Sequence, residues 1–178
     1  MATVAKKPIQ LTDYIRDVPN FPKPGILFRD ITPLLADKDA FAAAVDALAE
    51  PFVGFDADYV AAVEARGFIF GSAVAKALGA GFVPIRKQGK LPYKTELVTY
   101  DLEYGTDTLE VHSDAIKTGS EVLMVDDLLA TGGTMAAACK LMVKLGAEIA
   151  GISFLVELTD LAGREKLSEY SIHTVISY

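Results

Sequence analysis

The sequence is poor in the residues that build disulfides and metal centres, with one cysteine, two histidines and no tryptophan. A single cysteine excludes a disulfide framework and is typical of a reducing cytoplasm. Two histidines far apart and one cysteine do not make a zinc ligand set, so we expect no such metal site. The chain also lacks an apolar run of membrane-spanning length and an N-terminal signal-peptide pattern. These absences predict a cytoplasmic protein that does not enter a membrane.

Positive charge is scarce as well. Lysine and arginine number 17 against 24 aspartates and glutamates, which gives a net charge of −7. General nucleic-acid binding needs a basic surface, so this balance argues against it. An anionic substrate must instead be captured by a local basic cluster. The 178 residues are 51% hydrophobic, which predicts one globular domain over residues 1–178.

One stretch, residues 121–134, has the features of a phosphate site. Val122 to Val125 predict a strand buried on both faces, and a helix-forming run starts at Met135. Between them lies a turn of small residues: Ala130, Thr131, Gly132, Gly133 and Thr134. Backbone N–H groups and the helix dipole converge at such a turn, and glycine lets a phosphate approach closely. The alternative is an ordinary strand-to-helix connection capped by threonine.

Two adjacent carboxylates, Asp126 and Asp127, stand between this strand and the turn. They would repel a bare phosphate, but they suit a ligand that also presents hydroxyls or a divalent cation. A ribose 5-phosphate does so, because its phosphate can lie on the turn while its 2′- and 3′-hydroxyls face the acids. The stretch has neither the Gly-Lys-Ser/Thr ending of a Walker loop nor the glycine spacing of a dinucleotide turn. A ribose-phosphate site is therefore predicted.

A second strand–turn–helix unit offers an arginine. Asp58 to Val63 predict a buried strand, Phe68 to Leu78 predict the helix that follows, and Arg66 lies in the turn between them. A planar guanidinium suits a pair of phosphate oxygens. A surface ion pair between Arg66 and Glu64 is an equally good interpretation of the same residues.

A basic loop follows the next predicted strand, Gly81 to Ile85, which we expect near a sheet edge because it contains Pro84. Its cations are Arg86, Lys87, Lys90 and Lys94. In an acidic chain this is the clearest place for a polyanion to bind. The loop is either a lid over the site or a solvated loop without a partner.

The remaining patterns complete an α/β alternation. Helices are predicted over Leu11–Val18 and Asp39–Glu50, and strands over Thr95–Thr99, Thr108–Val111, Ile149–Val156 and His173–Ile176. The strands on either side of residues 102–107 predict a hairpin-like flap, and the prolines of residues 19–30 predict an extended segment. Together these elements predict a mainly parallel central sheet flanked by helices, with ligands at its carboxyl edge.

Several of these motifs resemble one family. Asp-Asp-Leu-Leu-Ala-Thr-Gly-Gly-Thr, residues 126–134, resembles the phosphoribosyl pyrophosphate motif of the type I phosphoribosyltransferases, in the form that adenine phosphoribosyltransferases have. Glu-Ala-Arg-Gly-Phe-Ile-Phe-Gly (64–71) resembles their pyrophosphate loop, Leu-Glu-Tyr-Gly (102–105) their flap, and residues 19–30 their base-binding hood. Val-Glu-Leu-Thr and Gly-Arg-Glu-Lys-Leu near the end resemble their closing segment. The resemblance runs from about Leu11 to the C-terminus.

The resemblance implies the type I phosphoribosyltransferase fold, with a small hood over about residues 11–36 and a mobile lid and flap over about 86–109. It implies transfer of the 5-phosphoribosyl group from 5-phospho-α-D-ribose 1-diphosphate to adenine, forming AMP and diphosphate. Mg²⁺ would bind mainly through the oxygens of the donor. The partners implied are these small molecules and a second copy of the chain in a homodimer, with no nucleic acid and no membrane.

The resemblance also assigns residues to roles. Those assigned to catalysis are Arg66, Glu103, Asp126 and Asp127. Those assigned to substrate binding are Leu27, Arg29, Glu64, Ala65, Arg86, Lys87, Lys90, Tyr104 and the turn Ala130–Thr134. Without the resemblance, Glu103 is more simply a solvated carboxylate. Two alternatives stay open: the same transfer to xanthine, hypoxanthine, guanine or orotate, and a non-catalytic regulator that senses phosphoribosyl pyrophosphate.

Overall fold

The chain forms two sheets of different size. The structure is a computed structural model, and it describes residues 9–101 and 105–178. These residues form two compact units that divide between Asp46 and Ala47. The first unit contains a two-stranded sheet and the second a seven-stranded sheet. The single domain over residues 1–178 and the hood boundary near residue 36 stay predictions.

The first unit is built around an antiparallel strand pair. Its elements are a 3₁₀ turn (Leu11–Tyr14), β1 (Arg16–Pro19), β2 (Leu27–Asp30), α1 (Thr32–Ala36) and most of α2 (Lys38–Ala49). The helix predicted over Leu11–Val18 is wrong beyond its first turn, because the chain from Arg16 onward pairs with β2. Arg16 Nε donates to Asp30 Oδ2 across the pair at 2.9 Å. Cross-strand contacts outweigh the weak local preference for helix.

The second unit alternates strands and helices, as the sequence predicts. Its elements are β3 (Tyr59–Val63), α3 (Arg66–Leu78), β4 (Gly81–Lys87), β5 (Thr95–Asp101), β6 (Thr106–His112), β7 (Glu121–Leu129), α4 (Gly133–Lys144), β8 (Glu148–Glu157) and β9 (Ile172–Ser177). The strand order is β5-β6-β4-β3-β7-β8-β9. All neighbours pair in parallel except β4–β6 and β5–β6, which are antiparallel. This confirms the mainly parallel sheet and the hairpin.

Strand β4 lies inside the sheet, so the edge position predicted from Pro84 is wrong. The Glu64 N–H donates to the Ile85 carbonyl at 3.0 Å, so odd-numbered residues of β4 bond to β3. The missing N–H of Pro84 therefore faces away from β3. On that side β4 pairs with β6 only at Arg86 and Lys87, beyond the proline, so no ladder bond is lost.

The strands that carry the site are buried on both faces. Val60 to Ala62 in β3 and Val122 to Val125 in β7 are fully buried. Cys139 on α4 belongs to the same core, and burial, followed by the charge of Glu169, raises the pKa of its thiol to about 12. Such a thiol is a packing residue rather than a nucleophile. Within the part of the chain that the structure describes, no helix is long and apolar enough to cross a membrane.

The topology places a crevice between β3 and β7. From β3 the chain passes through α3 to β4 on one side, whereas from β7 it passes through α4 to β8 on the other. The two strands are parallel neighbours, with Ala62 opposite Val125. In open α/β sheets, ligands bind outside the carboxyl ends of two adjacent strands whose connections lead in opposite directions along the sheet.

Candidate active site

A cavity of about 240 Å³ opens at the carboxyl ends of β3 and β7. It is lined by residues 63–67 after β3, by residues 126–135 from β7 into α4, and by Phe154 of β8. The predicted site residues that it brings together are Glu64, Ala65, Arg66, Asp126, Asp127, Ala130, Thr131, Gly132, Gly133 and Thr134. The two turns therefore meet at one edge of the sheet, as predicted, while the roles of the individual residues stay predictions.

The turn between β7 and α4 is shaped by Gly132. This residue has a φ of +76°, which favours glycine, and it directly precedes Gly133, the first residue of α4. A Cβ on Gly132 would collide with the carbonyl oxygen of Gly163. The first N–H groups of a helix have no partner within it, so this turn offers donors to an anion. The Thr134 hydroxyl lies beside them, 3.3 Å from the hydroxyl of Tyr100.

The acid pair is packed tightly at the end of β7. Asp126 Oδ1 accepts the N–H of Asp127 at 2.9 Å, and a Cβ on Gly67 would lie only 2.6 Å from the same oxygen. Burial, and then the charge of Asp127, raise the pKa of Asp126 well above its ordinary value. Burial also raises the pKa of Asp127, although Arg66 opposes that shift. The shifts follow from the desolvation of both groups and, for Asp126, from the charge beside it.

Arg66 is oriented into the cavity by this pair. Its Nε lies 2.8 Å from Asp127 Oδ2, and the Asp127 side chain is only 7% exposed. The alternative surface pair with Glu64 is not what the structure describes, since Glu64 contacts other cations. Arg66 is the first residue of α3, so the turn and the helix start hold it at the crevice. The preceding Glu64–Ala65 peptide bond is cis.

Glu64, at the rim of the cavity, accepts hydrogen bonds from the predicted basic loop. Its carboxylate accepts Lys90 Nζ at 2.9 Å, Arg86 Nη2 at 3.1 Å and the Lys87 N–H at 2.8 Å. Two side-chain cations around one carboxylate leave a positive excess for a polyanion. Buried Glu110 accepts the N–H groups of Lys90 and the next residue, each at 2.8 Å, which anchors the loop backbone. The loop is therefore ordered beside the site rather than merely solvated.

Glu64 should make the stability of the chain depend on pH. Burial works to raise its pKa, but the bonds from Lys90, Lys87 and Arg86 lower it from 4.5 to about 2. Because the folded pKa is the lower one, this stabilisation is complete above about pH 4.5 and is lost as the pH falls toward 2. We expect Glu64→Gln to lower the free energy of unfolding by about 2 kcal/mol at pH 7 and by little near pH 2.

Urea denaturation of the two proteins across this pH range measures the effect. Glu148→Gln, which changes an exposed carboxylate of β8, is the matched control for the removal of one negative charge. A difference between wild type and Glu64→Gln that stays constant from pH 7 to pH 3 would contradict the account of Glu64.

Seven predicted site residues are not part of the described cavity lining: Leu27, Arg29, Arg86, Lys87, Lys90, Glu103 and Tyr104. Glu103 and Tyr104 lie outside the described residues. Leu27 and Arg29 lie on β2 in the first unit, where Arg29 forms an ion pair with Asp17. Lys87, which was predicted to bind substrate, contributes its backbone N–H to Glu64, while its Nζ lies 3.0 Å from Asp107 Oδ2. Among the described residues, no group of three or more His, Cys, Asp and Glu side chains is arranged to hold a metal.

Sequence patterns missed other residues that shape the site. Glu110, Tyr100 and Gly163 all contact predicted site residues, but they come from β6, β5 and a segment after β8, respectively. Of the three, only Gly163 belongs to a motif that the sequence singles out, Gly-Arg-Glu-Lys-Leu. The others carry no local signal, because their contacts depend on the order of strands in the sheet.

Comparison with known proteins gives a consistent family. The chain matches the family model of the phosphoribosyl transferase domain over residues 35–176. It is 58% identical over 170 residues to the adenine phosphoribosyltransferase of Pseudothermotoga lettingae, which covers 96% of this chain and 100% of that protein. It is 57% identical over 168 residues to the enzyme of the same name from Acidobacterium capsulatum, with coverage of 94% and 93%.

Solved structures agree with these relatives. The crystal structure of adenine phosphoribosyltransferase from Thermoanaerobacter pseudethanolicus has a TM-score of 0.92 at 52% identity, covering 94% of this chain and 98% of that one. The Saccharomyces cerevisiae enzyme, complexed with D-2,5-dideoxy-2,5-imino-altritol 1,6-bisphosphate and adenine, has a TM-score of 0.88 at 43% identity, with coverage of 93% and 96%. The similarity thus extends over nearly the whole chain.

Proposed function

This chain belongs to the phosphoribosyltransferase family, among the adenine phosphoribosyltransferases, and we propose that the cavity between β3 and β7 is where its reaction takes place. It transfers the 5-phosphoribosyl group from 5-phospho-α-D-ribose 1-diphosphate to adenine, which forms AMP and diphosphate. One observation carries the assignment of the site: the glycine turn, the acid pair and Arg66 line the same cavity.

In this proposal the turn Ala130–Thr134 anchors the 5-phosphate of the donor through backbone N–H groups and threonine hydroxyls. Asp126 and Asp127 accept hydrogen bonds from the ribose hydroxyls. Displacement at the anomeric carbon passes through a sugar with developing positive charge, and buried carboxylates stabilise that charge. Holding the sugar at both ends also fixes the geometry of attack. The proximity of turn and acids in one cavity supports these roles.

The diphosphate end of the donor is assigned to cations around the cavity: Arg66, Arg86, Lys87 and Lys90. Each lies within ion-pair distance of a carboxylate of this chain. Binding of the donor would exchange these carboxylates for phosphate oxygens, so that the cations remain partnered in both states. The charge of the leaving diphosphate is then neutralised without a large rearrangement of the loop.

We propose Mg²⁺ as the cofactor. The ion prefers oxygen ligands and usually combines one or two carboxylates with substrate phosphates, and the acid pair, of which Asp127 is buried, offers that combination together with the donor. We assign it mainly to the diphosphate and ribose hydroxyls of the donor. When bound, it adds positive charge at the leaving group. The residues of this chain still hold the sugar and orient the base.

Base recognition is assigned to the hood and the flap. Backbone groups at Leu27 and Arg29 would hydrogen-bond the edge of adenine, and Tyr104 would help to close the site. Glu103 would handle the proton of the base as its nitrogen attacks the sugar. Closure of the lid would exclude the water that otherwise hydrolyses the donor. The family resemblance supports each of these four assignments.

Replacing Glu103 with glutamine should separate chemistry from donor binding. The substitution removes a proton acceptor but keeps the shape of the side chain, so we expect kcat to fall about a hundredfold or more, which is the typical contribution of general acid–base catalysis. The dissociation constant of ribose 5-phosphate should stay unchanged. Steady-state rates and calorimetric titration measure the two quantities. An unchanged kcat would remove Glu103 from the mechanism.

We further propose that the chain is a homodimer in the cytoplasm. The family resemblance supports the dimer, and the single buried cysteine agrees with a reducing compartment. Sedimentation equilibrium tests the first proposal directly: a mass near twice 19.0 kDa is expected, and a mass near 19.0 kDa at all concentrations would contradict it.

Base specificity is tested by assaying product formation with each base in turn. Phosphoribosyl pyrophosphate is supplied with adenine, hypoxanthine, guanine, xanthine or orotate, with and without Mg²⁺. We expect AMP from adenine in the presence of Mg²⁺, and far slower turnover of the other bases. Faster turnover of another base than of adenine would show that the chain is specific for that other base. Donor binding without turnover of any base would favour a regulatory sensor.

A further inference from the structure

The 3₁₀ segment Gly163–Leu167 packs directly against the Gly132 turn. A Cβ on Gly132 would meet the carbonyl oxygen of Gly163, and a Cβ on Gly163 would meet the carbonyl oxygen of Ala130. The same Cβ on Gly163 would lie 2.8 Å from Leu129 Cδ1. Two backbones this close leave space only for hydrogen at both glycines. The 3₁₀ segment is therefore in direct contact with the turn, although about thirty residues separate the two in the sequence.

Arg164 fixes this segment to the sheet. Its Nε and Nη2 donate to the two carboxylate oxygens of Glu157 on β8, each at 2.7 Å. Its Nη2 also donates to Thr174 Oγ1 on β9 at 3.0 Å. The carboxylate of Glu157 is almost fully buried. A bidentate pair of this kind fixes direction as well as distance, so it anchors the segment to β8.

Lys166 extends from this segment to the start of α4. Its Nζ lies 4.0 Å from the Cβ position of Gly133, the first residue of that helix. The ammonium therefore lies beside the N–H groups that the turn offers to a phosphate. The side chain is exposed, and among the described residues Lys166 forms no ion pair.

The charge balance of the cavity indicates a role for Lys166 in phosphate binding. A phosphate monoester carries about −1.5 to −2 charges near neutral pH, and a helix N-terminus offsets only about half a charge. The turn Ala130–Thr134 contains no cation, and Asp126 and Asp127 line the same cavity. Arg66 is directed to Asp127, at 2.8 Å. A cation at the turn itself is needed to complete the charge.

We propose that Lys166 binds the 5-phosphate of the donor, and that Gly163 and Arg164 position it and the turn. This inference rests on the proposed function, because it concerns the same bound phosphate. It adds to the site a residue that reaches the phosphate from outside the β7–α4 motif. The closing segment of the chain thereby becomes part of donor recognition as well as of the fold.

The proposal is tested with Lys166→Gln. Lys140→Gln is the matched control, because it removes the same charge from an exposed position farther along α4. Ribose 5-phosphate binding is titrated by calorimetry, and kcat and both KM values are measured. Loss of one charge-assisted bond should weaken ribose 5-phosphate binding and raise the KM for the donor about tenfold. The KM for adenine should stay unchanged, Lys140→Gln should match wild type, and Lys166→Arg should retain binding within a few-fold.

Binding of ribose 5-phosphate by Lys166→Gln with the affinity of wild type would overturn the proposal. An equal loss in both variants would do the same, since it would indicate a general field effect rather than a contact. A fall in kcat alone, with donor KM unchanged, would also contradict it. These outcomes are separate from the proposed function, which fails only if the wild-type chain forms no AMP.

Discussion

Replacing Gly132 with alanine is expected to weaken donor binding on the order of a hundredfold, which corresponds to the loss of one or two charge-assisted hydrogen bonds to the 5-phosphate. The added methyl group would collide with the Gly163 carbonyl. Gly163 is kept from moving away because the next residue, Arg164, is hydrogen-bonded to Glu157 and Thr174 of the sheet. The turn must therefore open, which displaces the N–H groups at the start of α4. Calorimetric titration with ribose 5-phosphate measures the loss.

Gly79→Ala is the matched control for backbone strain. Gly79 has a φ of +74° against +76° for Gly132, but a Cβ there would meet nothing within 4 Å. Alanine in this conformation costs about 1–2 kcal/mol in either position. Both variants should therefore lose the stability that this backbone strain costs, and Gly132→Ala should lose more because of the collision with Gly163, while only Gly132→Ala loses donor binding. Equal donor affinity in the two variants would show that the contact with Gly163 does not shape the phosphate turn.

The second large effect is expected from the double variant Asp126→Asn with Asp127→Asn. Hydrogen bonds from ribose hydroxyls contribute about 1.5–3 kcal/mol each to a carboxylate but only about 0.5–1.5 kcal/mol to a neutral amide oxygen, so the two substitutions should weaken ribose 5-phosphate binding roughly a hundredfold. Asparagine has the same shape, so packing of residue 126 against Gly67 is kept. Inorganic phosphate should bind as well as before, or better, because a repulsive charge is removed.

A thermodynamic cycle with 2-deoxyribose 5-phosphate isolates the role of the hydroxyls. Wild type should bind the deoxy sugar less tightly than ribose 5-phosphate, whereas the double variant should discriminate much less between them. Asp114→Asn with Asp160→Asn removes two exposed carboxylates and serves as the charge-matched control. Equal discrimination by wild type and the Asp126, Asp127 variant would exclude the acid pair from holding the ribose.

Local patterns predicted the two strand–turn–helix units correctly. Buried parallel strands such as β3 and β7 are continuous apolar runs, and glycines mark the turns that follow. The observed helix Gly133–Lys144 begins at the predicted phosphate turn. Since parallel strands end at one edge, the meeting of Arg66 with the acid pair was also predictable.

Other features depend on which strands become neighbours, and a linear sequence does not contain that information. Pro84 suggested an edge strand, but the short overlap of β4 with β6 leaves room for a proline inside the sheet. The sequence alone did not decide whether Arg66 contacts a phosphate or pairs with Glu64. The fold places Asp127 beside Arg66. The contact of Gly163 with Gly132 likewise joins segments that only the fold brings together.

The most direct test of the account is the product analysis of one reaction. Adenine, phosphoribosyl pyrophosphate and Mg²⁺ are incubated with the wild-type chain and with the Asp126→Asn, Asp127→Asn variant at subsaturating donor. The account predicts AMP and diphosphate in equal amounts from wild type, and on the order of a hundredfold less from the variant. No AMP from the folded wild-type chain, or equal AMP from the variant, would contradict it.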